Sequence, residues 1–259
     1  MNVLCVIPAR YSSTRLPGKP LKDIAGKPMV VRVYERASKA KSVSQTIVAT
    51  DDDRIYEAVA SHGGRAMMTA KTHPTGTDRL AEVAASFPEA EVIINVQGDE
   101  PLIEPALIDE LAACFAADHE LQMATVATPL TEKNEQENPN NVKVVMDKNG
   151  HALYFSRSLI PYPRKQSEAT VYKHIGLYAY RRDFLLKYAK LPPTPLEQTE
   201  SLEQLRALEN GYKIKVIITK DKLVGVDTEE DLALVNEIYN AGTRGCQPLV
   251  GFGAKPQDL

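Results

Sequence analysis

The stretch Val3-Leu4-Cys5-Val6-Ile7-Pro8-Ala9-Arg10-Tyr11-Ser12-Ser13-Thr14-Arg15-Leu16-Pro17-Gly18-Lys19-Pro20-Leu21 decides the fold. Its first five residues are an apolar run without alternation, which predicts a strand buried on both faces. A long turn follows, carrying two arginines, a lysine, small hydroxyls and a glycine. Backbone N–H groups in such a turn can line an anion-binding concavity, and the cations neutralise what sits in it. Pro8, Pro17 and Pro20 restrict φ, so little entropy is lost when a ligand arrives. Directly after strand one, this turn falls on the usual ligand edge of an open α/β sheet. The expectation is a polyphosphate cradle; the competing reading is a solvated basic loop.

Working outward, strand-like and helix-like segments alternate. Pro28 opens a helix with Met29, Val30, Val33, Ala37 and Ala40 at helical spacing. Strands are expected at 46–50, 65–69 and 92–96, with helices starting at Asp51-Asp52-Asp53, at Asp78 and at Glu104-Pro105. This series predicts an α/β fold with a mostly parallel central sheet flanked by helices. From residue 123 strands dominate (123–127, 142–146, 152–156, 171–180). Helices at 183–188 and 196–210, a strand at 214–218 and a helix at 228–239 follow. Residues 241–259, rich in glycine, read as a loose tail.

With 43% hydrophobic and 25% charged residues, the 259-residue chain has an ordinary globular composition. A net charge of −3 argues against a general binder of nucleic acid or anionic membrane. The basic turn is therefore a local feature, suited to a small anion. Cys5, Cys114 and Cys246 lack zinc spacing and read as free thiols of a reducing compartment. No apolar run approaches a membrane span, and the chain enters its first strand at once; a cytoplasmic protein is expected.

Two carboxylates stand out. Asp99, in Asn95-Val96-Gln97-Gly98-Asp99-Glu100-Pro101, follows a buried strand at the same edge as the basic turn, where Mg²⁺ would join one or two carboxylates to substrate phosphates. The alternative is a turn residue before proline. Asp227 precedes Thr228 and Asp231, which have the form of a capping box, so from its neighbours alone it reads more readily as part of a cap than as a metal ligand. No Ser–His–Asp or Cys–His arrangement suggests a covalent intermediate.

PARYSSTRLPGKPL (8–21), TGTDRLAEV (75–83), NVQGDEP (95–101), NPNNVKVV (138–145), ALYFSRSLIP (152–161), YKHIGLYAYR (172–181), PLEQTESLEQLRALENG (195–211) and GVDTEEDL (225–232) occur in this order. Together they resemble the 3-deoxy-manno-octulosonate (Kdo) cytidylyltransferases over residues 3–240. The resemblance implies a Rossmann-like nucleotidyltransferase fold in one domain, 1–240. Its nucleotide part would be about 1–120 and 212–240, and a smaller β-rich sugar-binding and dimerisation part about 121–211. It implies transfer of CMP from CTP to Kdo for lipopolysaccharide synthesis, with Mg²⁺, in a homodimer. A related acidic sugar, 8-amino-Kdo or a sialic acid, is the alternative substrate, and a non-catalytic nucleotide-binding homologue the remoter one.

By the same resemblance, Ala9, Arg10, Ser13, Arg15, Lys19, Thr75, Gly76, Arg79 and Gln97 contact CTP, with Arg10 and Lys19 as the triphosphate clamp. Asp99 and Asp227 hold the metal. Arg157, His174, Tyr178, Glu200 and Gln204 line the sugar pocket, His174 having the alternative of an interior strand residue. Glu200 and Glu203, three apart on the expected helix, share nearly one face, and the sequence leaves open which meets the sugar.

Overall fold

A computed structural model describes residues 1–12, 16–165, 169–220 and 223–243. The chain runs through β1 (Val3–Ala9), a 3-10 turn (Lys19–Leu21), β2 (Asp23–Ile24), β3 (Lys27–Pro28), α1 (Met29–Ala37), β4 (Gln45–Thr50) and α2 (Asp53–Ser61). Next come β5 (Ala66–Met68), α3 (Gly76–Ser86), β6 (Val92–Asn95), α4 (Pro105–Ala117), β7 (Met123–Leu130) and α5 (Lys133–Glu137). It ends with β8 (Lys143–Met146), β9 (Ala152–Ser156), β10 (Val171–Arg181), α6 (Arg182–Tyr188), α7 (Pro195–Glu200), α8 (Leu205–Glu209), β11 (Ile214–Ile218) and α9 (Glu229–Thr243).

The central sheet has the order β11-β7-β10-β6-β1-β4-β5. β6, β1, β4 and β5 are mutually parallel, as are β11 and β7, while β10 runs antiparallel to both its neighbours. β8 and β9 extend the sheet from the first residues of β10. The absence of alternation in β1 has a simple cause. Val3, Cys5, Ile7 and Ala9 face a core shared with α1, α2 and α4, whereas Leu4 and Val6 face another shared with α3, α6 and α8. Burial pushes the Cys5 thiol up to about 12, so it stays protonated and inert.

The chain steps outward from β1 to β4 and β5, then returns to the far side of β1 as β6. Such a reversal opens a crevice beyond the carboxyl ends of the strands. Arg10 leaves β1 there, and Gln97 and Asp99 follow β6.

Three expectations need correction. The helix expected over 196–210 is two helices, α7 and α8, because Ser201 turns left-handed (φ 53°) and breaks it. Glu200 and Glu203 therefore do not share a helix face. Pro28 ends β3 rather than opening α1, and its partner strand β2 was too short to be read from a pattern of two residues. The last helix runs to Thr243, three residues into the expected tail; 244–259, with Cys246, lie outside the described residues.

Across the break at Ser201, the Arg206 guanidinium grips the Glu197 carboxylate through Nε (2.8 Å) and Nη2, both side chains nearly enclosed. Glu197 also accepts the Thr194 N–H at 3.1 Å, closing a capping box at the start of α7. Removing one partner of such a pair strands a buried charge, which costs roughly 3–5 kcal/mol. Arg206→Met is expected to lower unfolding free energy by about 3 kcal/mol in urea titration. A loss below about 1 kcal/mol would mean the pair is solvent-screened.

Candidate active site

The basic turn reaches the crevice through two features of its sequence. Gly18 adopts φ +66°, the left-handed conformation that glycine takes without strain, and starts the 3-10 turn that presents Lys19. Pro20 and Leu16 are buried beneath it, Leu16 with Ile24, Met29, Val226 and Val235, so the turn is anchored by an apolar foot.

Lys19 Nζ donates to Asp99 Oδ2 at 2.6 Å, Asp227 Oδ1 at 3.0 Å and the Val226 carbonyl at 3.0 Å. The two aspartates, far apart in sequence, thus meet at one cation. Burial works to lower the Lys19 pKa, but the charges and hydrogen bonds of Asp99 and Asp227 outweigh it and hold the ammonium above its ordinary value. The capping box beside Asp227 exists as well: Asp231 accepts the Thr228 N–H at 2.9 Å and the Asp227 N–H at 3.0 Å. The cap uses the Asp227 main chain and leaves its carboxylate aimed at Lys19.

Gly98 lets this corner close. A Cβ there would lie 2.9 Å from the Pro8 carbonyl oxygen, closer than real Cβ contacts come, so only glycine allows the loop after β6 to lie against the end of β1. Next to Asp99, Glu100 is half-buried, with Oε2 enclosed and unpartnered. Burial, then the adjacent Asp99 charge, push its carboxyl up to about 7. Lys173 and Lys19 are near enough to oppose that shift, so three carboxyl groups meet two ammonium groups at this corner. It offers two aspartates to a hard divalent ion, the number Mg²⁺ takes when phosphates and waters supply the rest. Among the described residues, no group of three or more His, Cys, Asp or Glu side chains comes together to hold a metal.

Arg10 Nη2 donates to the carbonyls of His73 (2.8 Å) and Thr75 (3.0 Å), tying the first turn to the loop before α3. Thr75 caps α3 through a box with Asp78, and Gly76 begins the helix. Arg79 is fully enclosed, its guanidinium bound to Thr69 and, at 2.9 Å, to Asp51. It braces the loop from behind rather than facing the crevice. Ser13 and Arg15 lie outside the described residues.

A cavity of about 160 Å³ is lined by Asn95, Gln97, Tyr178, Tyr180, Glu203 and Gln204, with Gly76 and Thr77 at one wall. Asn95 Oδ1, Glu203 Oε1 and Gln204 Nε2 are buried without partners. A buried polar atom left unpaired costs roughly 1–3 kcal/mol, and three on the walls of one cavity leave hydrogen bonds for a polar ligand to satisfy. Gln97 Nε2 donates to the Gly176 carbonyl at 3.1 Å, where β10 bulges between Ile175 and Tyr178. The bulge bends β10 beside the cavity.

Residues 4–214 match the family model described as cytidylyltransferase. A 3-deoxy-manno-octulosonate cytidylyltransferase of Fusobacterium nucleatum is 57% identical over 91% of this chain and 96% of its own length. One of Geobacter sulfurreducens is 54% identical over 92% and 99%. The chain belongs to the 3-deoxy-manno-octulosonate cytidylyltransferase family. A solved CMP:2-keto-3-deoxy-manno-octonic acid synthetase in complex with CTP superposes with a TM-score of 0.90 at 46% identity, covering 93% of this chain and all of that one. A 4-diphosphocytidyl-2C-methyl-D-erythritol synthase of Anaerococcus prevotii shares the fold alone, with a TM-score of 0.61 at 13% identity over 92% of this chain and 96% of its own.

Of the residues assigned to the sugar, Tyr178 and Gln204 line the cavity. Arg157 and Glu200 form a separate cluster near the end of β9. Glu200 accepts the Ser156 hydroxyl (2.6 Å) and the Arg157 N–H (2.9 Å), while the Arg157 guanidinium donates to the carbonyls of Glu200 (2.7 Å), Pro139 (3.3 Å) and Ser201 (3.4 Å). His174 packs edge-on against Phe155, with Nε2 3.0 Å from Thr125 Oγ1. Enclosure pushes its pKa down to about 3, so the ring is neutral near pH 7. Asn95, Thr77, Tyr180 and Tyr188 were not singled out from sequence. Tyr180 shares the Tyr178 face of β10 by period-two alternation, a signal that was available. Tyr188 and Glu203 reach the cavity from segments that no local pattern joins to it.

Arg79→Met should lower stability by about 3 kcal/mol through the stranded Asp51 charge, measurable in urea titration. Unchanged stability with a raised KM for nucleotide would instead put Arg79 in contact with that substrate.

Proposed function

We propose that this chain transfers the CMP group of CTP to the anomeric hydroxyl of Kdo, releasing pyrophosphate. The observation that carries this reading is the cavity with three unpartnered polar atoms, whose wall residue Gln97 stands two positions before Asp99 of the Lys19–Asp99–Asp227 corner. One half offers hydrogen bonds to a polyol and the other suits phosphates and a cation.

The nucleotide would lie along the carboxyl ends of β1 and β6, with Ala9, Thr75, Gly76 and Gln97 around its base and ribose. Arg10 and Lys19 would bind the triphosphate, each charge-assisted contact being worth roughly 1.5–3 kcal/mol. Asp99 and Asp227 would hold Mg²⁺, which when bound supplies Lewis-acid stabilisation of phosphoryl oxygens. The sugar would enter the cavity, its hydroxyls meeting Asn95, Glu203 and Gln204 and its ring resting on Tyr178. By the resemblance Arg157 and Glu200 would also serve the sugar, Arg157 with a fork suited to a carboxylate, although their cluster does not line the cavity. The protein's task is then to hold the anomeric oxygen in line with the α-phosphorus and stabilise the leaving pyrophosphate. No side chain need form a bond to the nucleotide. The strands β8 and β9, with the start of β10, would supply the sugar part and the contact of a homodimer. No helix of the described residues is long and apolar enough to cross a membrane.

Incubation with CTP, Mg²⁺ and each acidic sugar, following pyrophosphate release, tests this directly. Release is expected with Kdo. Turnover with 8-amino-Kdo or a sialic acid but not Kdo would reassign the sugar, and none with any sugar would reject the reading. Asp99→Asn and Asp227→Asn are each expected to lose about 3–4 kcal/mol of transition-state stabilisation, a hundredfold or more in rate, while remaining folded. An Asp227→Asn protein with intact kcat and a lower Tm would show that Asp227 serves only the cap.

A further inference from the structure

Lys19 has a second relation to the carboxylate corner, and the inference drawn from it rests on the reading of Asp99 and Asp227 as a metal pair. An ammonium carries three N–H donors and no more. All three have a protein acceptor here: Asp99 Oδ2 at 2.6 Å, Asp227 Oδ1 at 3.0 Å and the Val226 carbonyl at 3.0 Å. None remains for a phosphate oxygen in this geometry. Two of the three acceptors, moreover, belong to the carboxylates that would coordinate a divalent ion at ~2.0–2.1 Å. A divalent ion could take the other oxygen of each carboxylate, but it would then sit close to the ammonium, and repulsion between the two cations opposes joint occupancy.

We propose that the Lys19 ammonium and the divalent cation are alternative occupants of the Asp99–Asp227 pair. The triphosphate opens the pair to metal by drawing the lysine onto its own oxygens.

Lys19 is suited to this exchange. Its charge sits at the end of a flexible four-carbon stem, while its backbone is fixed by Gly18 and the buried foot of Leu16 and Pro20. The head can swing while the turn stays in place. With the nearby Glu100 carboxyl also buried, the corner without any cation would place like charges together in a half-enclosed site, and the lysine removes that cost. The arrangement makes nucleotide and metal binding mutually supportive, since whatever draws Lys19 away raises metal affinity and the reverse must also hold.

The test measures metal binding, not turnover. Mn²⁺ is titrated into the full-length protein without nucleotide, and the free ion is counted by electron paramagnetic resonance. The proteins are the wild type, Lys19→Met, and Lys19→Met combined with Asp99→Asn. Lys19→Met is expected to bind Mn²⁺ about tenfold more tightly than wild type or better, and the added Asp99→Asn to abolish that gain. Thermal melts check folding. Should Lys19→Met not fold, Lys19→Gln keeps two N–H donors for the same oxygens without the charge and carries the same expectation. Equal Mn²⁺ affinity in wild type and variant overturns the exchange but leaves the metal pair standing. No Asp99-dependent Mn²⁺ binding in any of these proteins overturns both.

Discussion

In the absence of nucleotide, one lysine gathers the loops of the site. The Lys19 ammonium joins the turn after β1, the loop after β6 and the loop before α9 through contacts to Asp99, Asp227 and Val226. The partners lie 80, 208 and 207 residues away in sequence, so the contact brings distant loops to one point. Beneath it, Leu16, Ile24, Met29, Val226 and Val235 form a small apolar cluster of their own, apart from the two cores that flank the sheet. The polar contact above and the apolar one below fix α9 on the ligand edge. Without α9 in place, Asp227 would have no reason to stand beside Asp99.

What the corner does follows from what adjoins it. A sheet that reverses direction at β1 and β6 opens a crevice, and the antiparallel β10 with its bulge gives that crevice a second wall rich in tyrosine. Tyr178, Tyr180 and Tyr188 stack in succession, with ring centroids 5.9 and 6.2 Å apart. They make a stiff floor under Asn95, Glu203 and Gln204, whose unpartnered atoms lower the stability of the protein alone. Such a cost is tolerated where a ligand supplies the missing hydrogen bonds. On the reading proposed above, the unpartnered polar atoms would face the sugar and the charges the nucleotide, the two needs of a displacement at phosphorus between a polyol and a nucleoside triphosphate.

The fold was largely legible because its signals are local. The unbroken apolar run of β1, the acidic start of α2 and the Glu104-Pro105 entry to α4 all stand where the sequence puts them. What escaped had either no local signal or a misleading one. Ser201 stands among good helix formers, yet it turns left-handed and breaks a helix that its neighbours would continue. The hairpin of β2 and β3 turns on Ala25 and Gly26 at positive φ, and an alanine there does not announce it. At the candidate site, motif and edge position led to the corner where Lys19, Asp99 and Asp227 meet and to Gln97 on the cavity wall. Arg79 shows the limit: its motif placed it at the nucleotide, whereas helix periodicity turns its side chain inward to Asp51. Glu203 and Tyr188 required tertiary structure, since they meet the cavity only after α6 and α8 fold onto the sheet.

The central claim is that the anomeric oxygen attacks the α-phosphorus once, with no nucleophile from the protein. The stereochemical course at that phosphorus tests it most directly. A single diastereomer of the α-phosphorothioate analogue of CTP is turned over with Kdo, and the configuration of the sugar product is determined by phosphorus NMR. One in-line displacement predicts inversion. Retention would require two displacements through a nucleotide covalently bound to the protein, and would contradict the mechanism.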